Sequence, residues 1–177
     1  MQLKLLRRSV SMNRKILLFL TVALPVAADQ LTKHLAVLYL KGQAPKVLIP
    51  GILELQYLEN RGAAFSMLQG QQWFFYILTA VFLAGAFLFL HRLPDTRRML
   101  PLRLAVLFLS AGAIDNFIDR LLHRYVVDFI YVSCIDFPVF NVADICVTLS
   151  VAALILLVLF YYKDDDLSSA GGHRRSI

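Results

Sequence analysis

Apolar residues along this chain are gathered into four long runs that are separated by short polar segments. The runs are Ile16 to about Val37, Trp73–Leu90, Leu102–Ala113 with a more polar continuation to Leu122, and Val142–Tyr162. At about 1.5 Å per residue, each run can cross the ~30 Å hydrocarbon core of a bilayer with modest tilt. The pattern therefore predicts an all-α membrane protein, a bundle of four transmembrane helices.

The first run has two interpretations. Basic residues precede it and Val-Ala-Ala ends at Ala28, which is typical of a cleaved signal peptide. Apolar residues resume after the polar segment Asp29–Lys33, and the whole run is long enough to span. We therefore favour an uncleaved first helix, with Met12 as an alternative start to Met1.

Composition agrees with a membrane location, since 59% of the residues are hydrophobic and only 17% are charged. The net charge is +6, yet Lys and Arg lie at the edges of the apolar runs rather than on one polar stripe, which argues against nucleic acid as a partner. Short basic segments remain on the cytoplasmic side of a membrane. We expect a cytoplasmic N-terminal segment 1–15, a membrane domain 16–162, and a disordered cytoplasmic tail 163–177.

This orientation places segments 39–72 and 123–140 outside the cytoplasm. In the first of them, Lys46–Glu59 mixes Leu, Ile and Tyr with polar residues around a Pro50-Gly51 turn, which predicts short strands and a small extracytoplasmic sheet. The second segment is predicted to be a loop that carries Asp128.

Charged residues of the predicted helices collect at one end of the bundle. An ionised side chain at the centre of a span costs about 2.5–3.5 kcal/mol on insertion scales, so such residues usually line a polar site. The cluster consists of Asp29, Lys33, Asp115, Asn116, Asp119, Arg120, Asp128, Asn141 and Asp144. We expect all of them at the extracytoplasmic face.

Carboxylates are the candidate chemistry of this cluster. Its residues lack a serine with a neighbouring base, Cys134 and Cys146 lack a histidine partner, and metal-ligand spacing is absent, so we predict no metal and no cofactor. Two adjacent carboxyls share one proton, and the ionised one activates water, as in aspartic proteases. Structural interpretations stay open: Asp29 and Lys33 as a helix-end ion pair, and Asp119 beside Arg120 as another structural pair. Asn141 is also a candidate N-cap of the fourth helix, with Asp144 at its N3 position, where a carboxylate favours the helix dipole.

Four blocks of sequence resemble the lipoprotein signal peptidase (signal peptidase II) family. The blocks are Asp29–Lys33, Glu59–Ser66, Asn116–Arg120 followed by Val126–Phe129, and Phe140–Asp144. The resemblance implies a four-helix membrane bundle with an outer β-cradle. It also implies that the chain removes signal peptides from diacylglyceryl-modified bacterial pre-lipoproteins, cutting just before the lipidated cysteine.

By the same resemblance, Asp128 and Asp144 are the catalytic dyad. The remaining matched positions are site-supporting or substrate-binding: Asp29, Lys33, Asn60, Gly62, Asn116, Asp119, Arg120, Asn141 and Ala143. We expect a monomer in the bacterial cell membrane, in contact with membrane lipids. Asp115 stands where the family usually has glycine, and we expect it to be protonated or to share a cation. A proton-translocating subunit and a non-catalytic membrane chaperone are the alternative functions.

Overall fold

The computed structural model describes the backbone of residues 2–62, 68, 70–163 and 166, and the side chains of these residues from Arg14 onward. Within these residues it contains four helices that are long and apolar enough to cross a membrane. They are α1 (Gln2–Tyr39), α2 (Gln72–Arg92), α3 (Leu100–His123) and α4 (Val142–Leu156), with a π-helical turn Leu157–Tyr161 continuing α4. The four predicted helices are confirmed, and α1 runs unbroken through Ala28 and reaches back to Gln2.

α3 is the central helix of the bundle. In the most apolar 18-residue stretch of α3, 39% of the residues are buried. The corresponding stretches of α1, α2 and α4 are 6%, 6% and 17% buried. Gly112 allows α4 to approach it closely, because a Cβ added there would lie 2.6 Å from the carbonyl oxygen of Ala143. The first turn of α4 therefore packs directly against α3.

The outer helices carry large apolar side chains on their exposed faces. Phe19 on α1, Phe87 on α2 and Phe160 beyond α4 are all exposed. An extended apolar surface of this kind is unfavourable in water, whereas it fits the hydrocarbon of a bilayer.

The strands form a three-stranded antiparallel sheet in the order β1 (Lys46–Ile49), β2 (Leu53–Asn60) and β3 (Val126–Val132). The predicted short strands around the Pro50-Gly51 turn are confirmed as the β1–β2 hairpin, and Gly51 lies in the turn with φ +69°. The prediction of a loop at Asp128 is wrong, because Asp128 lies within β3 and pairs with Leu58 of β2. The predicted all-α class is therefore incomplete, because the structure also contains a small sheet. Its strands come from the segment between α1 and α2 and from the segment between α3 and α4.

The sheet docks on the end of the bundle where α1 and α3 finish and α4 begins. Ala36 and Leu40 at the end of α1 pack against Val127 and Phe129 of β3. This contact places β3 over the predicted polar cluster.

The other end of the helices is held by different contacts. Arg98, between α2 and α3, pairs with Asp166 at 3.0 Å and lies over the Tyr161 ring at 4.1 Å. Arg14 pairs with Asp95 at 2.8 Å. The predicted disordered tail, 163–177, lies outside the described residues apart from Lys163 and Asp166.

Candidate active site

Asp128 is buried in the middle of β3, and two asparagine side chains hold its carboxylate. Asn60, the last residue of β2, donates its side-chain N–H to one oxygen at 2.8 Å, and Asn141 donates to the other at 2.7 Å. Only 1% of Asp128 is exposed. Burial, followed by the negative charge of Asp144, raises the pKa of Asp128 to about 7, while the two asparagine hydrogen bonds oppose this shift.

Asp144 lies in the first turn of α4 and closes a capping box with Asn141. The Asn141 side-chain oxygen accepts from the Asp144 backbone N–H at 2.9 Å, and the Asp144 carboxylate accepts from the Asn141 backbone N–H at 3.2 Å. The other carboxylate oxygen accepts a 3.0 Å hydrogen bond from Asn116 on α3. Both expected structural roles are confirmed, and they fix the direction of the carboxylate.

Asn141 links the two carboxylates. Its side-chain N–H groups reach Asp128 on one side and the side-chain oxygen of Asn116, at 3.2 Å, on the other. Asn116 in turn donates to Asp144. A strand, the end of α3 and the start of α4 are thus joined through amide groups that have little freedom to rotate.

A buried ionic cluster lies behind the two carboxylates. The Lys33 ammonium contacts Asp29 and Asp115 at 2.5 Å each and Asp119 at 2.8 Å, and at most 4% of each of these side chains is exposed. Lys33 also donates to the Asn116 side-chain oxygen at 3.1 Å. The cluster is therefore connected to Asp144 through one asparagine.

Asp29 and Asp119 connect this cluster to the backbone around the site. Asp29 accepts from the Ala143 N–H at 2.8 Å, within the first turn of α4. Asp119 accepts from Gln30 at 2.8 Å and from the Val127 N–H, next to Asp128, at 3.4 Å. The expected ion pair of Asp29 with Lys33 is confirmed, and the expected sharing of a cation by Asp115 is confirmed with Lys33 as the cation.

Arg120 and Gly62 lie on the side of the site that faces β2. Arg120 donates to the Gly62 carbonyl at 3.1 Å and lies 4.5 Å above the Phe75 ring, while the Gly62 N–H donates to the Asn60 side chain at 3.0 Å. Arg120 thus anchors the end of β2 that positions Asn60. Residues 63–66 of the Glu59–Ser66 block lie outside the described residues.

A cavity of about 1010 Å³ opens beside these groups, and both Asp128 and Asp144 line it. Asn60, Asn116 and Arg120 share its polar wall, while Phe140, Ile145 and Val147 contribute apolar surface. Two carboxyls, of which Asp128 has a pKa raised to about 7, therefore face one space large enough for a peptide segment.

The structure brings every predicted site residue to this end of the bundle. Sequence reasoning missed Gln30, Phe75 and Tyr76, the last of which donates to the Arg120 carbonyl at 2.8 Å. Gln30 lies within the Asp29–Lys33 block, which was the available signal. Phe75 and Tyr76 had no signal, because aromatic residues are common near the ends of membrane helices.

Known proteins share both the sequence and the fold. The family model for signal peptidase (SPase) II matches residues 21–160. Lipoprotein signal peptidases of Streptococcus pyogenes serotypes M5 and M18 are each 43% identical over 142 residues, which is 80% of this chain and 92% of theirs.

Two solved structures of bacterial membrane enzymes also match. One has a TM-score of 0.73 at 31% identity and covers 90% of this chain and 93% of its own. The other has a TM-score of 0.72 at 35% identity and covers 82% and 94%. With the family match spanning most of the chain, the resemblance of the four sequence blocks is confirmed, and the chain belongs to the signal peptidase II family of aspartic peptidases.

Proposed function

We propose that this chain is a membrane aspartic endopeptidase that removes signal peptides from diacylglyceryl-modified pre-lipoproteins, cutting just before the lipidated cysteine. Asp128 and Asp144 are its catalytic dyad. The observation that carries the proposal is that the buried Asp128 and the half-buried Asp144 are joined through Asn141 and face the same cavity.

In the proposed reaction the dyad holds one proton. The ionised carboxylate accepts a proton from a water molecule, whose oxygen attacks the scissile carbonyl carbon. The protonated carboxyl donates to the carbonyl oxygen as negative charge develops there. When the tetrahedral intermediate collapses, the C–N bond breaks, the departing nitrogen takes up a proton, and the dyad regains its starting state.

Asn60, Asn116 and Asn141 act as positioning residues, because each donates a hydrogen bond to a dyad carboxylate. Asp29, Lys33 and Asp119 hold the ends of α1, α3 and α4 together behind the dyad. Arg120, Gly62 and Ala143 complete the support through the contacts described above.

The location of the charged groups favours a peptidase over a proton-translocating subunit. Among the described residues, the buried charged groups lie at one end of the spans. The buried hydroxyls nearer mid-span, Ser110 and Ser150, donate to carbonyls of their own helices. We infer that the dyad meets its substrate at the extracytoplasmic edge of the bilayer, where a monomer surrounded by lipid can receive a signal helix sideways.

The test is cleavage of a purified lipid-modified pre-lipoprotein, followed by the gel shift of the shortened product. Asp128→Asn and Asp144→Asn should each abolish cleavage, since removing general acid–base catalysis costs about 10²- to 10⁴-fold. Asp95→Asn, at the opposite end of the helices, is the matched control and should cleave at the wild-type rate. Near wild-type turnover in either dyad variant, with normal membrane insertion, would refute the proposal.

A further inference from the structure

The cavity beside the dyad has a helix side and a sheet side. Val147, Thr148 and Leu149 line it along the second turn of α4, about 4.5–7.5 Å further along the helix axis than Asp144. Gln56 of β2, Tyr131 of β3 and Asp136 of the β3–α4 connection line it on the sheet side. The dyad lies between these two sides.

This arrangement gives the substrate a direction, on the basis of the proposed function. The signal peptide of a pre-lipoprotein is a helix within the bilayer, so its last residues run beside α4. The mature chain leaves the membrane and runs beside the sheet. The first residues after the lipidated cysteine therefore pass Tyr131 and Asp136.

Asp136 is held firmly at this position although it is exposed. The Tyr131 hydroxyl donates to its carboxylate at 2.7 Å. Its backbone is left-handed, with φ +48°, and its N–H donates to the Ser133 carbonyl at 3.3 Å. The next residue, Phe137, donates its N–H to the Val132 carbonyl at 3.2 Å, so the turn is pinned on both sides.

Asp136 keeps an uncompensated negative charge among the residues that the structure describes. The ion pairs of the described residues do not include Asp136. Arg120 is the basic residue that lines the cavity, and it is engaged by Gly62 and Phe75 on the dyad side. A second carboxylate, Glu54, lies opposite Tyr131 in the strand register. The sheet side of the cavity is therefore negative.

We propose that Asp136 is a specificity-determining residue, which favours pre-lipoproteins with basic or neutral residues directly after the lipidated cysteine and disfavours those with acidic residues there. A positively charged substrate residue on the sheet side of the cavity is attracted by Asp136. A negatively charged one is repelled, because no ion pair of the described residues neutralises Asp136. Asp136 therefore discriminates between substrates by the first residues of the mature chain and not by the sequence of the signal peptide.

The experiment compares three lipid-modified pre-lipoproteins that differ only at the second and third positions of the mature chain, carrying lysine, serine or aspartate. For wild-type enzyme we expect kcat/KM to be about threefold to tenfold higher for the lysine substrate than for the aspartate substrate, as for exposed charge pairs. The ratio should shrink at high salt. Asp136→Asn should bring the ratio close to one, whereas Asp95→Asn should leave it at the wild-type value.

Equal cleavage of the lysine and aspartate substrates by wild-type enzyme would overturn the inference. So would a preference that persists unchanged in Asp136→Asn. Both results require that the serine substrate is cleaved, which separates them from failure of the proposed function. No cleavage of any of the three substrates by wild-type enzyme would overturn the peptidase proposal, and this inference with it.

Discussion

The buried lysine cluster leads to opposite expectations for two side chains that touch each other. Lys33→Met removes the ammonium that contacts three carboxylates, and it leaves those carboxylates facing one another in a site that water scarcely reaches. Asp115→Asn removes one carboxylate, and Lys33 keeps Asp29 at 2.5 Å and Asp119 at 2.8 Å. The two changes therefore differ in whether a buried charge loses its partner.

The structure sets the size of each effect. Removing one partner of a buried ion pair costs about 3–5 kcal/mol, so Lys33→Met should lower the free energy of unfolding by at least this amount. Asp115→Asn isolates no charge and reduces the excess of carboxylates over ammonium groups. It should change the free energy of unfolding by less than about 1 kcal/mol, in the stabilising direction. Asp115→Gly should behave similarly, apart from the cost of about 1 kcal/mol for glycine inside a helix.

Reversible unfolding in mixed micelles measures stability, and the gel-shift assay measures cleavage. Lys33→Met should lose activity as well as stability, because Lys33 also holds Asn116, which donates to Asp144. Asp115→Asn and Asp115→Gly should retain or exceed wild-type turnover. The reasoning fails if Asp115→Asn destabilises the protein as strongly as Lys33→Met. A collapse of turnover in folded Asp115→Asn would instead place Asp115 in the catalytic group.

Three further predictions follow from the site and the helix packing. Because the pKa of Asp128 is raised to about 7 and the proposed dyad needs one proton, kcat/KM should fall as pH rises through about 7. The stability that Asp128 contributes is fully present below its unfolded pKa of about 3.9, and it is lost as pH rises from that value through about 7. Gly112→Ala should cost about 1–3 kcal/mol and reduce cleavage, since its Cβ would meet α4, whereas Gly85→Ala faces open space and should be neutral or stabilising by up to about 1 kcal/mol. In intact cells, the exposed Cys134 should react with an impermeant thiol reagent and a cysteine at Arg97 should not; the reverse labelling would contradict the proposed orientation.

The helices and the hairpin could be predicted because their signals are local. Long apolar runs reveal the spans, Pro50-Gly51 reveals the turn, and the spacing of Asn141 and Asp144 reveals the capping box. The ion pair of Asp29 with Lys33 was visible for the same reason, as the two residues are four positions apart. Each of these features needs only a few consecutive residues to be specified.

The third strand and the wider cluster were beyond such reasoning. β3 (Val126–Val132) is rich in β-branched residues, but a buried aspartate at its centre interrupts the pattern that marks a strand. Its partner β2 is far away along the chain, so pairing could not be read locally. The contact of Lys33 with Asp115 joins residues 82 positions apart, and only the packing of α1 on α3 brings them together.

The two oxygens of the Asp144 carboxylate have different hydrogen-bond partners, so a structural role and the proposed catalytic role are compatible in one side chain. One carboxylate oxygen accepts from the Asn141 backbone and fixes the start of α4, while the other is held by Asn116 from α3. Asn141 divides its groups in the same way, since its oxygen caps α4 and its nitrogen holds Asp128. A helix cap is fixed by backbone geometry, so the capping box holds the carboxylate of the proposed dyad residue Asp144 in place, together with Asn116. For this reason the capping box gives no ground for preferring a purely structural role, since the same contacts that start α4 also hold Asp144 beside the cavity that Asp128 lines.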